Sequence, residues 1–243
     1  MTIKQAMVLA AGLGTRMRPI TDTIPKPLVK IDGKAMIDYS LDSLAEAGVE
    51  KVVVNVHHHA DQMLDHLASY KSLEIIISDE RERLMNNGGG LAKGLKLLPP
   101  GEVFVTNADL FWIGERPDAP SNLRRLAGFF NVKDMDMAML CVKLEDTTGH
   151  NGKNDFNMAM NGGLTRFAET GPNPVVYAGA IAMHTSFLDD APADAFNLNL
   201  YFDKAIARGR LYGTVLEGHW LTVGTPEAIG EAEETIRRYR TFA

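Results

Sequence analysis

Four short apolar runs, separated by stretches with helical periodicity, constrain this chain more than any other feature. They cover Gln5 to Ala10, Lys51 to Val56, Leu73 to Ser78 and Glu102 to Thr106. Such alternation is the pattern of a mostly parallel sheet with helices on its faces. Between the first two runs, Ile37, Leu41, Leu44 and Ala45 recur at helical spacing, and Gly48 offers a C-terminal cap. A second helix is predicted over Ala60 to Tyr70, and a third from near Gly90 to a stop before Pro99 and Pro100. The expected fold is therefore α/β, a Rossmann-like, mostly parallel mixed sheet flanked by helices.

The later half is less regular. Met137 to Leu144, Val175 to Met183 and Leu211 to Val215 read as strands, with a turn in the "NGGL" at Asn161. Asn197 to Arg208 reads as a helix, and a terminal helix opens with Thr225 as N-cap and Pro226 at its first position. Nothing among the 243 residues looks like a linker, so one domain over 1–243 is expected.

Apolar stretches such as "MAMLCV" are too short to span a bilayer, and the N-terminus lacks the apolar core of a signal peptide. A cytoplasmic protein is expected. Cys141 is the only cysteine, which excludes an intrachain disulfide and reads as a buried, inert thiol. A net charge of -6 argues against a nucleic-acid or membrane surface but not against one basic pocket for a small anion.

The first run empties into "LAAGLGTRMRPITDTIPKPL" from Leu9 to Leu28. Gly14 is followed by Thr15 and Arg16, so no Gly-Lys pair of a Walker A loop is present. Met17 replaces the third glycine of a dinucleotide fingerprint. Arg16, Arg18, Lys26 and Lys30 cluster here with only Asp22 between them, which fits either a polyphosphate ligand or a solvated basic loop. Pro25 and Pro27 flank Lys26 and bias Ile24 and Lys26 toward extended backbone.

Open parallel sheets bind ligands at the carboxyl ends of their strands. The glycine loop, His57 to His59 and Asn107 to Asp109 all fall there. Asp109 reads as a metal carboxylate or a turn residue. Gly88, Gly89 and Gly90 read as a flexible loop or a close backbone approach. The histidine triplet points alternate ways on an extended segment and lacks a cysteine partner, so a pocket rim or a plain surface suits it better than zinc.

The same stretch closely resembles the signature of the nucleoside-diphosphate-sugar pyrophosphorylases, or sugar-1-phosphate nucleotidyltransferases. "NVHHHADQ", "NNGGGLAKGL", "TNADLFW", "GKNDF", "YAGAIAM" and "WLTVGTPEAI" resemble further blocks of that family in the same order. The resemblance implies the fold of the nucleotide-diphospho-sugar transferases. Among subfamilies it is nearest to uridylyltransferases acting on N-acetylmuramate 1-phosphate in cell-wall recycling.

It further implies transfer of a nucleoside monophosphate, with uridylyl favoured, from a nucleoside triphosphate to a sugar 1-phosphate, with Mg²⁺ as cofactor. The nucleophile is then a phosphate oxygen, ionised at neutral pH because its second pKa is about 6. No general base is needed, and the protein's task becomes positioning and charge neutralisation. By the resemblance, Arg16, Lys26 and Asp109 are catalytic. Ala10, Ala11, Gly12, Gly14, Thr15, Asn86, Gly88 and Gly89 hold the nucleotide. Asn107, Asp155, Glu169 and Gly179 hold the sugar, with Gly179 leaving room for its ring.

Three positions depart from the family pattern. Thr222 stands where a second metal-binding aspartate is usual, Asn86 where a glutamate is usual, and Asn154 within a block that more often reads small-G-x-G-D-F. Asp109 and Thr222 are then the expected metal positions, and a hydroxyl is a poorer Mg²⁺ ligand than a carboxylate. Two readings result: a working transferase leaning on Asp109 and substrate phosphates, or a binding protein of the same fold with weakened chemistry.

Overall fold

The structure, a computed structural model, describes residues 2–242. Strand β1, Gln5–Leu9, is followed by the hairpin β2, Lys30–Ile31, and β3, Lys34–Ala35, then helix α1, Met36–Ala47. Next come β4, Lys51–Val56; α2, Ala60–Ser69; β5, Glu74–Asp79; α3, Asn86–Leu95; and β6, Glu102–Asn107. Then follow β7, Leu110–Ile113; α4, Asn122–Phe129; β8, Met137–Val142; β9, Thr147–Thr148; β10, Phe156–Met158; and β11, Leu164–Arg166. The chain closes with β12, Pro174–His184; α5, Asn199–Ala207; β13, Leu211–Val215; β14, His219–Thr222; and α6, Glu227–Phe242.

The principal sheet runs β11-β10-β12-β6-β1-β4-β5, with β8 pairing β12 and β13. β6, β1, β4 and β5 are mutually parallel, whereas β12 runs antiparallel to β6 and β8. A second sheet, β7-β14-β9, sets Thr222 opposite Leu110.

Period-two alternation in the central strands divides the core. Ala6, Val8, Val52, Val54 and Phe104 face α1, α2 and α4, while Met7, Val53, Val103 and Val105 face α3 and α5. Because both faces are covered, these strands read as continuous apolar runs, which is why their expected limits match the observed ones within a residue. Gly48, at φ 90°, ends α1 with Val49 N–H bonded to Leu44 O at 3.1 Å. Among the described residues no helix is long and apolar enough to cross a membrane.

Two local expectations are corrected. Helix α3 starts at Asn86, so Gly88, Gly89 and Gly90 lie inside it instead of forming a loop before it. Close packing explains the glycines: a Cβ at Gly88 would sit 2.4 Å from the Phe196 ring, and one at Gly94 2.5 Å from Met7 Sδ. Lys26 is not extended but begins a 3₁₀ turn, Lys26–Leu28, closed by Val29 N–H to Lys26 O at 3.0 Å. The bias of the residue before a proline yields here to the burial of Lys26 and its ion pair.

Candidate functional site

A cleft of about 250 Å³ opens where β1, β4 and β6 end. Its walls include Ala10, Ala11, Gly12, Lys26, Asn55, Asn86, Asn87, Asn107 and Asp109. Parallel strands deliver these residues together because each ends at the same edge before its chain turns away.

Lys26 is the electrostatic centre of the cleft. Its ammonium lies 2.6 Å from Asp109 Oδ2, with side-chain exposures of 10% for Lys26 and 36% for Asp109. The backbone holds both ends: the 3₁₀ turn carries the lysine, and Ala108 N–H bonds to Leu9 O at 3.1 Å, tying the segment before Asp109 to the end of β1. Gly12 meets nothing within 4 Å in its Cβ direction, leaving its backbone open to a ligand. Gly14 differs: at φ 63°, an added Cβ would lie 2.9 Å from Thr21 Cγ2 and 3.0 Å from Lys26 Cβ. It folds the loop back onto Thr21, whose hydroxyl donates to Gly14 O at 2.8 Å.

The second wall is the start of α3. Asn86 adopts φ 61° and accepts from Asn87 N–H at 3.0 Å. Gly88 N–H bonds to Phe196 O at 3.0 Å, and Asn87 Oδ1 accepts from Leu198 N–H at 2.9 Å. The segment 196–198 therefore occupies groups that a glycine loop would have offered a nucleobase. Asn86 lines the cleft, whereas Gly88 and Gly89 do not.

Other expected site residues fall elsewhere. Arg16 and Thr222 line a separate hollow of about 490 Å³ with His150, Gly224, Glu227 and Glu231, and Arg16 packs against Gly224. Glu227 is held below the ordinary glutamate range by its own backbone N–H and the Thr225 hydroxyl, so this hollow carries negative charge beside Arg16. Thr15 begins the 3₁₀ turn Thr15–Met17 and lines neither the cleft nor this hollow. Asp155 Oδ2 accepts from Tyr177 N–H at 2.9 Å, and Glu169 is exposed in the loop before β12. Gly179 leaves no room for a ring on its Cβ side, since a Cβ there would lie 2.0 Å from Leu110 Cδ1. Its φ of 81° instead serves the register shift of β12 between Tyr177 and Ile181.

The histidine triplet does not line the cleft. His57 Nδ1 lies 2.7 Å from Glu80 O and His58 Nε2 lies 3.0 Å from Thr21 O, while His59 begins α2 at φ 51°. No group of three or more His, Cys, Asp or Glu among the described residues is arranged to hold a metal ion. Asp109 still offers a hard oxygen donor on the cleft wall, and Mg²⁺ is commonly held by one or two carboxylates with phosphates and water.

Two residues went without a functional reading in the sequence: Asn55, inside an apolar strand and on the cleft wall, and Glu80, in a run of charges and behind that wall. Both are buried, at 3% and 1% exposure. A polar residue within an otherwise apolar strand is the only clue that could have pointed to Asn55.

The nucleotidyl transferase family model matches residues 5–141. The chain is 39% identical over 238 residues to the N-acetylmuramate alpha-1-phosphate uridylyltransferase of Caulobacter vibrioides, covering 96% of this chain and 97% of that one. It is 29% identical over 233 residues to the protein of the same name from Neisseria meningitidis serogroup B, covering 94% and 96%. Against the solved inositol-1-phosphate CTP transferase from T. maritima the TM-score is 0.77 at 17% identity, covering 98% of this chain and 97% of that one. At that identity the likeness is one of fold.

Proposed function

The chain belongs to the nucleotidyl transferase family, and from that membership we propose that it transfers a uridylyl group from uridine triphosphate to a sugar 1-phosphate, with N-acetylmuramate 1-phosphate as acceptor. Pyrophosphate leaves as the nucleotide-sugar forms. The observation that carries the reading is the Lys26–Asp109 pair in a cleft at the ends of three parallel strands, opposite the open backbone of Gly12.

The acceptor phosphate is its own nucleophile, so the protein needs to align it in line with the α-phosphorus and to neutralise the departing pyrophosphate. Lys26 supplies fixed positive charge at low dielectric, where a charge acts most strongly. Ala11 and Gly12 line the cleft and are assigned to the triphosphate through their backbone N–H groups, with Arg16 supplying positive charge from the neighbouring hollow and Thr15 beside it in the loop. Asp109 is assigned to hold Mg²⁺, which when bound would further neutralise the triphosphate. Thr222 contributes at most a neutral oxygen, so substrate phosphates complete the ion's ligands. Asn107, Asp155 and Glu169 remain assigned to the sugar side, while Gly179 serves only the path of β12. Residues 1–243 act as one transferase domain in the cytoplasm, in cell-wall recycling, without nucleic acid or membrane partners.

Pyrophosphate release tests this with Mg²⁺ or Mn²⁺, crossing the common nucleoside triphosphates with sugar 1-phosphates that include N-acetylmuramate 1-phosphate. Turnover with the uridine and N-acetylmuramate pair is expected. Turnover only with another pair replaces the substrates, and silence with retained nucleotide binding replaces the transferase by a binding protein.

A further inference from the structure

We propose that Glu80 and Asn55 are positioning residues that couple the two walls of the nucleotide cleft; the inference rests on the cleft being a nucleotide site. Asn55 Oδ1 accepts from Ala10 N–H at 2.6 Å, at the root of the glycine loop. Asn55 Nδ2 donates to Glu80 Oε1 at 2.7 Å, and Glu80 Oε2 accepts from Met85 N–H at 2.9 Å, immediately before α3. One unbroken line of hydrogen bonds thus runs from the phosphate loop to the residues preceding Asn86 and Asn87.

Each link leaves its group little choice. Ala10 N–H and Met85 N–H are donors only, so both need acceptors, and the amide of Asn55 is the one group in the line that accepts on one side and donates on the other. Glu80 lies 1% exposed and does not line the cleft, so it acts through Asn55 and Met85 and not on a ligand. A buried carboxylate is costly without compensation, and here Asn55 and the N-terminal end of α3 provide it. Its backbone is held as well: Glu80 N–H bonds to Val56 O at 2.8 Å, and Glu80 O lies 2.7 Å from His57 Nδ1.

Gly90 now has a specific reason. A Cβ there would lie 2.6 Å from Glu80 Oε1 and 2.7 Å from Asn55 Nδ2, so only glycine leaves the junction of the line intact. Within the glycine run of α3, Gly90 thus serves the site from behind, by making room for the groups that set the distance between its walls.

Glu80→Gln keeps the shape but turns one acceptor into a donor facing a donor. Gly90→Ala presses on the same two atoms without changing any polar group. Calorimetry with uridine triphosphate, well below the melting temperature of each variant, is expected to show Kd raised at least fivefold in both. The KM for the sugar 1-phosphate should stay within twofold of wild type wherever turnover is measurable. A merely structural role lowers Tm and leaves the nucleotide Kd unchanged, and that result overturns the inference. So does a rise that is equal for both substrates. Because Kd is read without turnover, a wild type that binds uridine triphosphate but releases no pyrophosphate removes the transferase reading and leaves this comparison in force.

Discussion

The Lys26–Asp109 pair predicts an asymmetry between two substitutions that should damage activity alike. At 2.6 Å and an effective dielectric of about 20, the gross attraction is about 6 kcal/mol, most of which desolvation offsets. What remains depends on which partner is left behind. Asp109→Asn strands an ammonium whose side chain is 10% exposed, whereas a neutral substitution at Lys26 leaves a carboxylate that is 36% exposed and able to hydrate.

We expect Asp109→Asn to cost about 2 kcal/mol, or about 4–8 °C in Tm for a chain of this size, and Lys26→Met about half of that or less. Methionine also keeps the apolar stem of the lysine packed. Both variants should lose on the order of 10²-fold or more in kcat, the scale seen when one transition-state charge stabiliser is removed. Differential scanning calorimetry and single-turnover pyrophosphate release, on the same preparations, check the two halves. Lys26→Met costing as much stability as Asp109→Asn, or either variant retaining near wild-type turnover, would refute the reasoning.

Thr222→Asp is expected to lower the Mg²⁺ concentration giving half-maximal turnover, and reduced activity at saturating Mg²⁺ would count against Thr222 as a metal position. Burial pushes the Glu115 carboxyl above its ordinary value of 4.5, so the fold favours its protonated form and the resulting stabilisation is lost as pH rises through the shifted pKa. Glu115→Gln should therefore melt higher than wild type near pH 7 and converge with it below about pH 4.5; a pH-independent difference in Tm would contradict this. Cys141 is fully buried and its thiol is pushed upward by desolvation, so a disulfide reagent should label it only after unfolding, and rapid labelling of the native protein would show otherwise.

How much of this was legible in the sequence depended on burial. β1, β4 and β6 are covered on both faces, so their residues had to be apolar and their limits could be read directly. The β7-β14-β9 sheet went unseen because its strands are two to four residues long and carry Trp112, His219 and Thr148, a mixture without clear period. Helix α4 carries only a short signal, since Leu123, Leu126 and Ala127 form its apolar stripe over just eight residues. At the site, strand ends account for Ala10, Ala11, Gly12, Asn107 and Asp109 lining one cleft, which Lys26 joins from its 3₁₀ turn, whereas His57 to His59, expected at the same edge, do not line it. The separation of Arg16 and Thr222 into a neighbouring hollow depends on how α6 and the 149–152 loop pack, which local pattern does not encode. Glu80 could not be found because one buried carboxylate among exposed charges looks like the rest of them.

Four glycines in the ten residues of α3 also bear on the order in which the chain becomes ordered. Relative to alanine they remove about 3–4 kcal/mol of intrinsic helical propensity, more than an isolated segment of that length can supply. Helix α3 can therefore persist only once β1, β4 and the 194–196 segment are in place to receive it. In hydrogen exchange, its amides should open before those of β1 and β4, and nucleotide should slow them most. The wall of the cleft is thus expected to set last and to loosen first, with a bound nucleotide holding it in place.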